Sequence, residues 1–547
     1  MASLSEVISA MSKEVNDSTL GWDAVVNYSA KDINAVLKSA YDKGQEGQLK
    51  ELTVSLDMED YLSGLQYVAV FKFQLGPPLI QFEASASMTS SCRLDIAVTG
   101  GSVVIEEYNK EYTIPADRYR LALSGIALAS VNGTKGADRN PQPSDQPFVF
   151  NSPNTTSAVT IDIETSAKEN RLQIELSIHG SGDEIAIIDK QTAELAQKIL
   201  TNFKQTKSIH WDIAQVNNIR PSSGTSQLVP KVFRFACYAP DNNASGYTVL
   251  SLFIHLDGGS NSGAEERLQE KWSIQWSKPD SHSPGSYGVP PIPESYTASV
   301  ILNHRWIQNA VAQSVKDKGM KIEEIPKTSN DTFSLKSKIL TGQRYKVDRV
   351  RQSGTDWPYS VYSVEAVDIN LDSLPAPLYI SIGQNNEPHG NALLQWQFEY
   401  TTGWMWVNGG NGDTITGKVT ATNKLDKKVS FDNNVLPDYR IHLNLNVDKK
   451  SWEQKLVPSD SNWSKVISVT NYGNVSLNAL PDPPPLDLKL FDIDFFMTTN
   501  LLLPNQDVID FRADPGVLFP RDLYLLNRLR RGGAIGVSAS EEQIVAR

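Results

Sequence analysis

Cysteine is almost missing: the 547 residues hold two, Cys92 and Cys237, far apart in sequence. That excludes a disulfide framework and any metal site built on several thiolates, and buried thiols are the expectation. Long apolar runs are missing as well. No window holds about 18 apolar residues in succession, and the first residues lack a basic segment leading into an apolar run, so neither a transmembrane helix nor a signal peptide is expected. Synthesis and folding in a cytosol follow, and any extracellular role would require release by lysis or a leaderless route. An excess of positive charge is the third absence. With 51 Lys and Arg against 63 Asp and Glu, the net charge is −12, which removes the broad cationic field that nucleic-acid binding exploits. The one basic cluster, Arg528, Arg530 and Arg531 before Gly532-Gly533, reads as a solvated tail.

Catalytic patterns are lacking too. There is no phosphate-binding loop and no dinucleotide fingerprint. Gly258-Gly259-Ser260-Asn261-Ser262-Gly263 fails the Gly-x-Ser-x-Gly spacing of a nucleophile elbow and reads as a hairpin loop. Gly409-Gly410-Asn411-Gly412-Asp413 is one residue short of the calcium-binding nonapeptide, occurs once, and reads as a loop between strands. The seven histidines, at 179, 210, 255, 282, 304, 389 and 442, include no pair at zinc-ligand spacing. Asp492 and Asp494 would share one face of a strand and could chelate a cation, but their alternation with apolar neighbours makes a solvated face the better reading. No metal, no cofactor and no enzymatic activity are expected. Eleven Trp and nineteen Tyr are present, and Trp404 and Trp406 are candidate surface aromatics for sugar or a lipid interface, against packing between sheet and helix.

What remains is an ordinary globular composition, 40% hydrophobic and 21% charged, in a chain long enough for two domains. Ser3-Leu4-Ser5-Glu6 forms a capping box ahead of a short amphipathic helix whose apolar stripe needs a partner. Ser29 caps a second helix with Ile33, Val36, Leu37, Ala40 and Tyr41 on one face and Gly44 as its stop. From about residue 50 the period becomes two, which predicts antiparallel strands with one wet face, interrupted by a long loop over 132–153. A further helix is expected from about Asp189 to Lys204. Polar residues 217–227 read as a linker. The second half repeats the theme, with a helix expected over Ala298 to Asp317, its apolar face made by Ile307, Ala310, Val311, Ser314 and Val315, and clean alternation at 394–400 and 441–447. The expected division is 1–220, 228–527 and a flexible tail 528–547.

Three stretches carry a resemblance. Gly21-Trp22-Asp23-Ala24-Val25, then Tyr296-Thr297-Ala298-Ser299-Val300-Ile301-Leu302, then Thr499-Asn500-Leu501-Leu502-Leu503-Pro504 with Asp514-Pro515-Gly516-Val517-Leu518-Phe519-Pro520-Arg521-Asp522 resemble, in that order, the clostridial forty-seven-kilodalton protein family. That family and its OrfX relatives are encoded beside certain botulinum neurotoxins. The likeness spans nearly the whole chain, and the sequence departs from the family in length and in inserted loops such as 132–153. The closing stretch reads physically as a fold signature, a strand end and a tight turn.

The resemblance implies an α+β fold of the tubular lipid-binding (TULIP-like) superfamily: two modules, each a long antiparallel β-sheet wrapped around a long α-helix. Val36, Leu37, Ile307, Val311 and Val315 would then line an apolar tunnel or fill a closed core. It further implies a non-enzymatic accessory protein of a bacterial toxin or insecticidal locus, with lipid or phospholipid, or other proteins of the toxin gene cluster, as partners. A structural interaction module with closed cores is the second reading, and a carbohydrate-binding module using Trp404 and Trp406 the third.

Overall fold

The computed structural model describes residues 2–13, 18–44, 49–59, 64–83, 90–132, 142–143, 147–150, 152, 155–180, 186–205, 210–218, 229–239, 247–257, 259 and 289–317. Further on it describes 321–325, 333–338, 344–347, 350–353, 360–365, 367–370, 378–383, 391–408, 414–430, 440–447, 452–458, 486–494, 499–500, 509–510 and 517–529. The fold is α+β, and its strands pair antiparallel. The expected linker falls largely outside the described residues, as do Gly409–Asp413 and the basic residues Arg530 and Arg531.

The first half is dominated by an 11-stranded sheet. Glu51–Glu59, Gln66–Leu75, Ser91–Ile105, Tyr119–Asn132, Thr155–Asp162, His210–Asn218 and Thr499–Asn500 follow one another in it. Alternation decides its faces: Leu52, Val54 and Leu56 point inward from the first strand, Ala69, Phe71 and Phe73 from the second, and Leu94, Ile96 and Val103 from the third. The intervening polar residues meet water. Ser91–Ile105 is long enough to serve two neighbourhoods. Its first part pairs with Leu79–Glu83 and Tyr119–Asn132, and its last part with Gln66–Leu75 and Lys110–Ile114. Gly101 stands in the last part, opposite Phe73 and Ile114, with φ +139°, and an added Cβ there would lie 1.9 Å from the Lys72 carbonyl oxygen. Only glycine fits there.

Two helices fill the hollow of this sheet. Ala30–Asp42 begins at Ser29, whose hydroxyl accepts from the Asp32 N–H at 3.3 Å, and buries Ile33 and Leu37. Thr192–Gln205 buries Leu195, Ile199 and Phe203. These side chains join the inward-facing sheet residues in one continuous apolar core.

A central 8-stranded sheet ties the halves together. Its middle strands run Leu523–Leu529, Ala298–Leu302, Ala24–Ser29, Val249–Leu256 and Pro230–Tyr238. Ala24–Ser29 is buried at every residue, because both faces are covered. Ala24, Val26 and Tyr28 face the large core, while Val25 faces a second one. That second core is closed by Val7, Ala10 and Met11 of helix Leu4–Met11, which supplies the partner its stripe requires. The capping box at Ser3 and Glu6 is present as the sequence predicts.

The helix expected over Ala298 to Asp317 is two elements. Ala298–Leu302 is a strand buried throughout, and the helix is His304–Asp317. An apolar five-residue run containing Val300 and Ile301 suits a strand covered on both faces, and only tertiary pairing reveals this. The loop expected over 132–153 also contains pairing: Phe148–Val149 joins the edge of the central sheet opposite Val232 and Phe233. Helices Ala30–Asp42 and His304–Asp317 have 13 and 14 residues, about 20 Å each. The strands are longer, reaching 18 residues in Asn391–Asn408, which belongs to a third sheet of 8 strands in the second half.

Candidate functional site

Two of the stretches that carry the resemblance meet in the central sheet, where Ala24 and Val25 lie opposite Leu302 and Ile301; of the third, Thr499–Asn500 joins the 11-stranded sheet and Asp522 immediately precedes the central strand Leu523–Leu529. Ala298–Leu302 lies between Ala24–Ser29 on one side and Leu523–Leu529 on the other. A seam of buried polar side chains runs through this junction, set in apolar surroundings.

One small polar residue stands in each of three apolar strands: Asn27, Ser251 and Ser299. Register places Asn27 opposite both serines. Asn27 Nδ2 donates to Ser299 Oγ at 3.0 Å, Ser251 Oγ donates to Asn27 Oδ1 at 2.6 Å, and Ser299 Oγ donates onward to the Pro291 carbonyl at 2.7 Å. The Tyr524 hydroxyl donates to the same carbonyl at 2.9 Å, and burial pushes its pKa well up. Each link satisfies a group that would otherwise be stranded in apolar surroundings.

At one end of the seam Asp23 accepts from the Leu256 N–H at 2.9 Å. His255 Nδ1 lies 3.5 Å from the same carboxylate oxygen, and Trp22 stacks on the His255 ring at 4.1 Å between centroids. Gly259 presses its backbone on this carboxylate: a Cβ there would lie 2.1 Å from Asp23 Oδ2.

At this same end of the strands, where the Asn303 N–H donates to the Asp23 carbonyl at 2.9 Å, Asp522 receives the His304 N–H at 2.9 Å and lies 2.7 Å from His304 Nδ1, while Ser18 Oγ donates to its second oxygen. Asn303 Oδ1 accepts from the Arg305 N–H at 2.8 Å. Helix His304–Asp317 is therefore capped twice, once locally and once by a carboxylate from the end of the chain. Burial pushes the Asp522 carboxyl up, but the His304 and Ser18 contacts outweigh it and hold the group below its ordinary range.

Ser18, His304 and Asp522 have the composition of a hydrolytic triad without its order. In a triad the imidazole stands between the hydroxyl and the carboxylate and takes the hydroxyl proton. Here the carboxylate stands in the middle, Ser18 is buried, and the arrangement caps a helix. A second cluster, Arg118 with Asp189 at 2.7 Å and Tyr119 with Asp189 at 2.7 Å, clamps the strand Tyr119–Asn132 to Ala186–Asp189. Burial raises the Tyr119 hydroxyl to about 12, so it stays a donor. Among the described residues no group of three or more His, Cys, Asp or Glu is placed to hold a metal ion. Burial also raises both thiols, Cys92 well above its ordinary value and Cys237 to about 12.

Of the residues singled out in the sequence, Leu37 is 2% exposed and Ile307 is 0% exposed, and both belong to the large apolar core. A channel wide enough for an acyl chain would leave accessible surface on its walls. The walls here, Ile33, Leu37, Phe71, Ile80, Leu94, Ile96 and Ile199, are closed. The side chains of Val36, Val311, Val315, Trp404 and Trp406 lie outside those described. Register sets Trp404 opposite Gly417 and Val364, and Trp406 opposite Ile415 and Tyr362. Asp492 lies opposite His442, and Asp494 opposite Arg440. The seam itself was not singled out in the sequence, although each of its three strands shows the signal of a lone Asn or Ser inside an apolar run.

Solved structures with a similar chain path include P47 from Clostridium botulinum A2, at 11% identity and a TM-score of 0.42, covering 94% of this chain and 99% of that one. P47 of Clostridium botulinum E1 gives 13% identity and a TM-score of 0.40, with 94% and 100% covered. A lipopolysaccharide binding protein gives 10% identity and a TM-score of 0.22, with 94% and 99% covered. No protein-family model matches the chain, and no curated protein matches it.

Proposed function

We propose that this chain is a non-enzymatic accessory protein on a tubular lipid-binding-like scaffold, working by binding partner proteins through its surface. The observation that carries this reading is the state of the interior. The apolar inner face of the first-half sheet is filled by its own helices, and the buried polar side chains at the junction are engaged in caps and cross-strand bonds. Membership of a bacterial toxin or insecticidal locus is the finer part of the proposal. It is supported by the three resemblance-bearing stretches of the sequence.

The test is affinity capture by the intact chain from its producing cells, followed by native mass spectrometry. A stoichiometric complex with another polypeptide is expected, its gene adjacent to this one. Recovery of the bare chain in every preparation contradicts the proposal.

A further inference from the structure

The described surface shows few large exposed apolar side chains, and four of them gather at one end of the first-half sheet. They are Leu65 at 59%, Val68 at 36%, Tyr108 at 39% and Tyr112 at 41% exposure. Tyr67 joins them, with its ring 5.4 Å from that of Tyr108 in an edge-on contact. Tyr67 is partly buried against the large core, and its contact holds the exposed Tyr108 ring in place. Register explains the gathering. Gln66–Leu75 and Lys110–Ile114 flank the same end of Ser91–Ile105, with Phe71 and Tyr112 both opposite Val103.

Lys110–Ile114 is an edge. Among the described residues it pairs with Ser91–Ile105 alone, so the far side of its backbone has no strand beside it. Its first four residues are exposed. An edge of this kind presents a row of peptide groups to any extended segment that can lie along it.

The charge at this end is one-sided. Asp57 and Glu59 lie opposite Val68 and Gln66, and Glu106, Glu107 and Glu111 belong to the turn and strand that carry Tyr108 and Tyr112; against these five carboxylates stand Lys110 and Lys72, the latter across Ser102 from Thr113. Glu107 is engaged by the Val68 N–H at 3.1 Å, which fixes the turn against the neighbouring strand. An anionic lipid surface is repelled by such a field, and a second copy of a chain of net charge −12 gains nothing from it.

We infer that Lys110–Ile114 receives an extended, cationic segment of a partner protein, added as a strand, with its apolar side chains against Tyr108 and Tyr112 and its Lys or Arg against Glu106 and Glu111. The inference rests on the reading of the chain as a partner-binding protein and names the chemistry of one partner. Main-chain bonds supply the affinity, and the carboxylates select basic sequences.

The probe is a fluorescein-labelled peptide of alternating Lys and Val or Tyr, titrated into the full-length protein by anisotropy, with a Glu-for-Lys peptide as control. Binding by the Lys peptide alone is expected, weakened at least tenfold by Tyr112→Ala and by Glu106→Lys with Glu111→Lys, and weakened as salt rises. Hydrogen exchange should slow at Lys110–Ile114 when the peptide is bound. Equal binding of both peptides, protection confined to another strand, or indifference to all these variants overturns the inference. So does flotation of the full-length protein with phosphatidylcholine–phosphatidylglycerol vesicles that Tyr108→Ala and Tyr112→Ala abolish. Capture of a stoichiometric partner by the Tyr112→Ala protein would remove this surface while leaving the broader function intact.

Discussion

Asp32 sits at the third position of helix Ala30–Asp42, and burial lifts its carboxyl from 3.8 to about 6. The folded chain therefore holds this proton where the unfolded chain releases it. Stability contributed by the group is greatest below pH 3.8 and is lost as pH rises to about 6, because the ionised form is the costly one. Asp32→Asn is expected to flatten that slope and to stabilise the protein at pH 7 by roughly 2 kcal/mol, as read by urea unfolding at pH 4 and pH 7. Asp522 has the opposite sign. Its folded value is depressed, so its contribution is present above the ordinary carboxylate range and is lost as pH falls through the depressed value. Asp522→Ala removes a helix cap and strands Ser18 and His304, and a loss of about 3–5 kcal/mol is expected in the same assay at pH 7. Leu37 separates a filled core from a tunnel. Leu37→Ala should cost about 2–5 kcal/mol if its neighbours pack against it on all sides. A change under about 1 kcal/mol in denaturant unfolding would point to an open wall.

Elements were legible in the sequence wherever a local signal fixed them. The Ser29 cap, the Leu4–Met11 capping box and the alternation from Glu51 to Ile105 all correspond to elements present in the fold. Ala298–Leu302 was not legible, because an apolar run of five residues fits a buried strand and a helix start equally well, and its neighbours lie at 24–29 and 523–529. The seam was illegible for the same reason: Asn27, Ser251 and Ser299 are separated by more than two hundred residues at their widest. Gly101 was silent too. Its purpose, admitting the Lys72 carbonyl of the neighbouring strand at close range, exists only once the strands are paired. Gly101→Ala forces a Cβ against the Lys72 carbonyl, and a loss of about 2 kcal/mol or more is expected in thermal or urea unfolding.

Taken whole, the molecule is organised around a sheet that draws strands from residues 24–29, 249–256, 298–302 and 523–529. Remote parts of the chain are therefore bonded side by side, and two of the resemblance-bearing stretches contribute strands to that sheet. Among the described residues, the first half packs its own helices against its sheet with closed apolar walls. Photolabelling of the full-length protein with a diazirine-bearing fatty acid, mapped by peptide mass spectrometry, tests this most directly. No label above background is predicted in Ala30–Asp42, Gln66–Leu75 or Thr192–Gln205, and saturable label in those three segments would contradict the account.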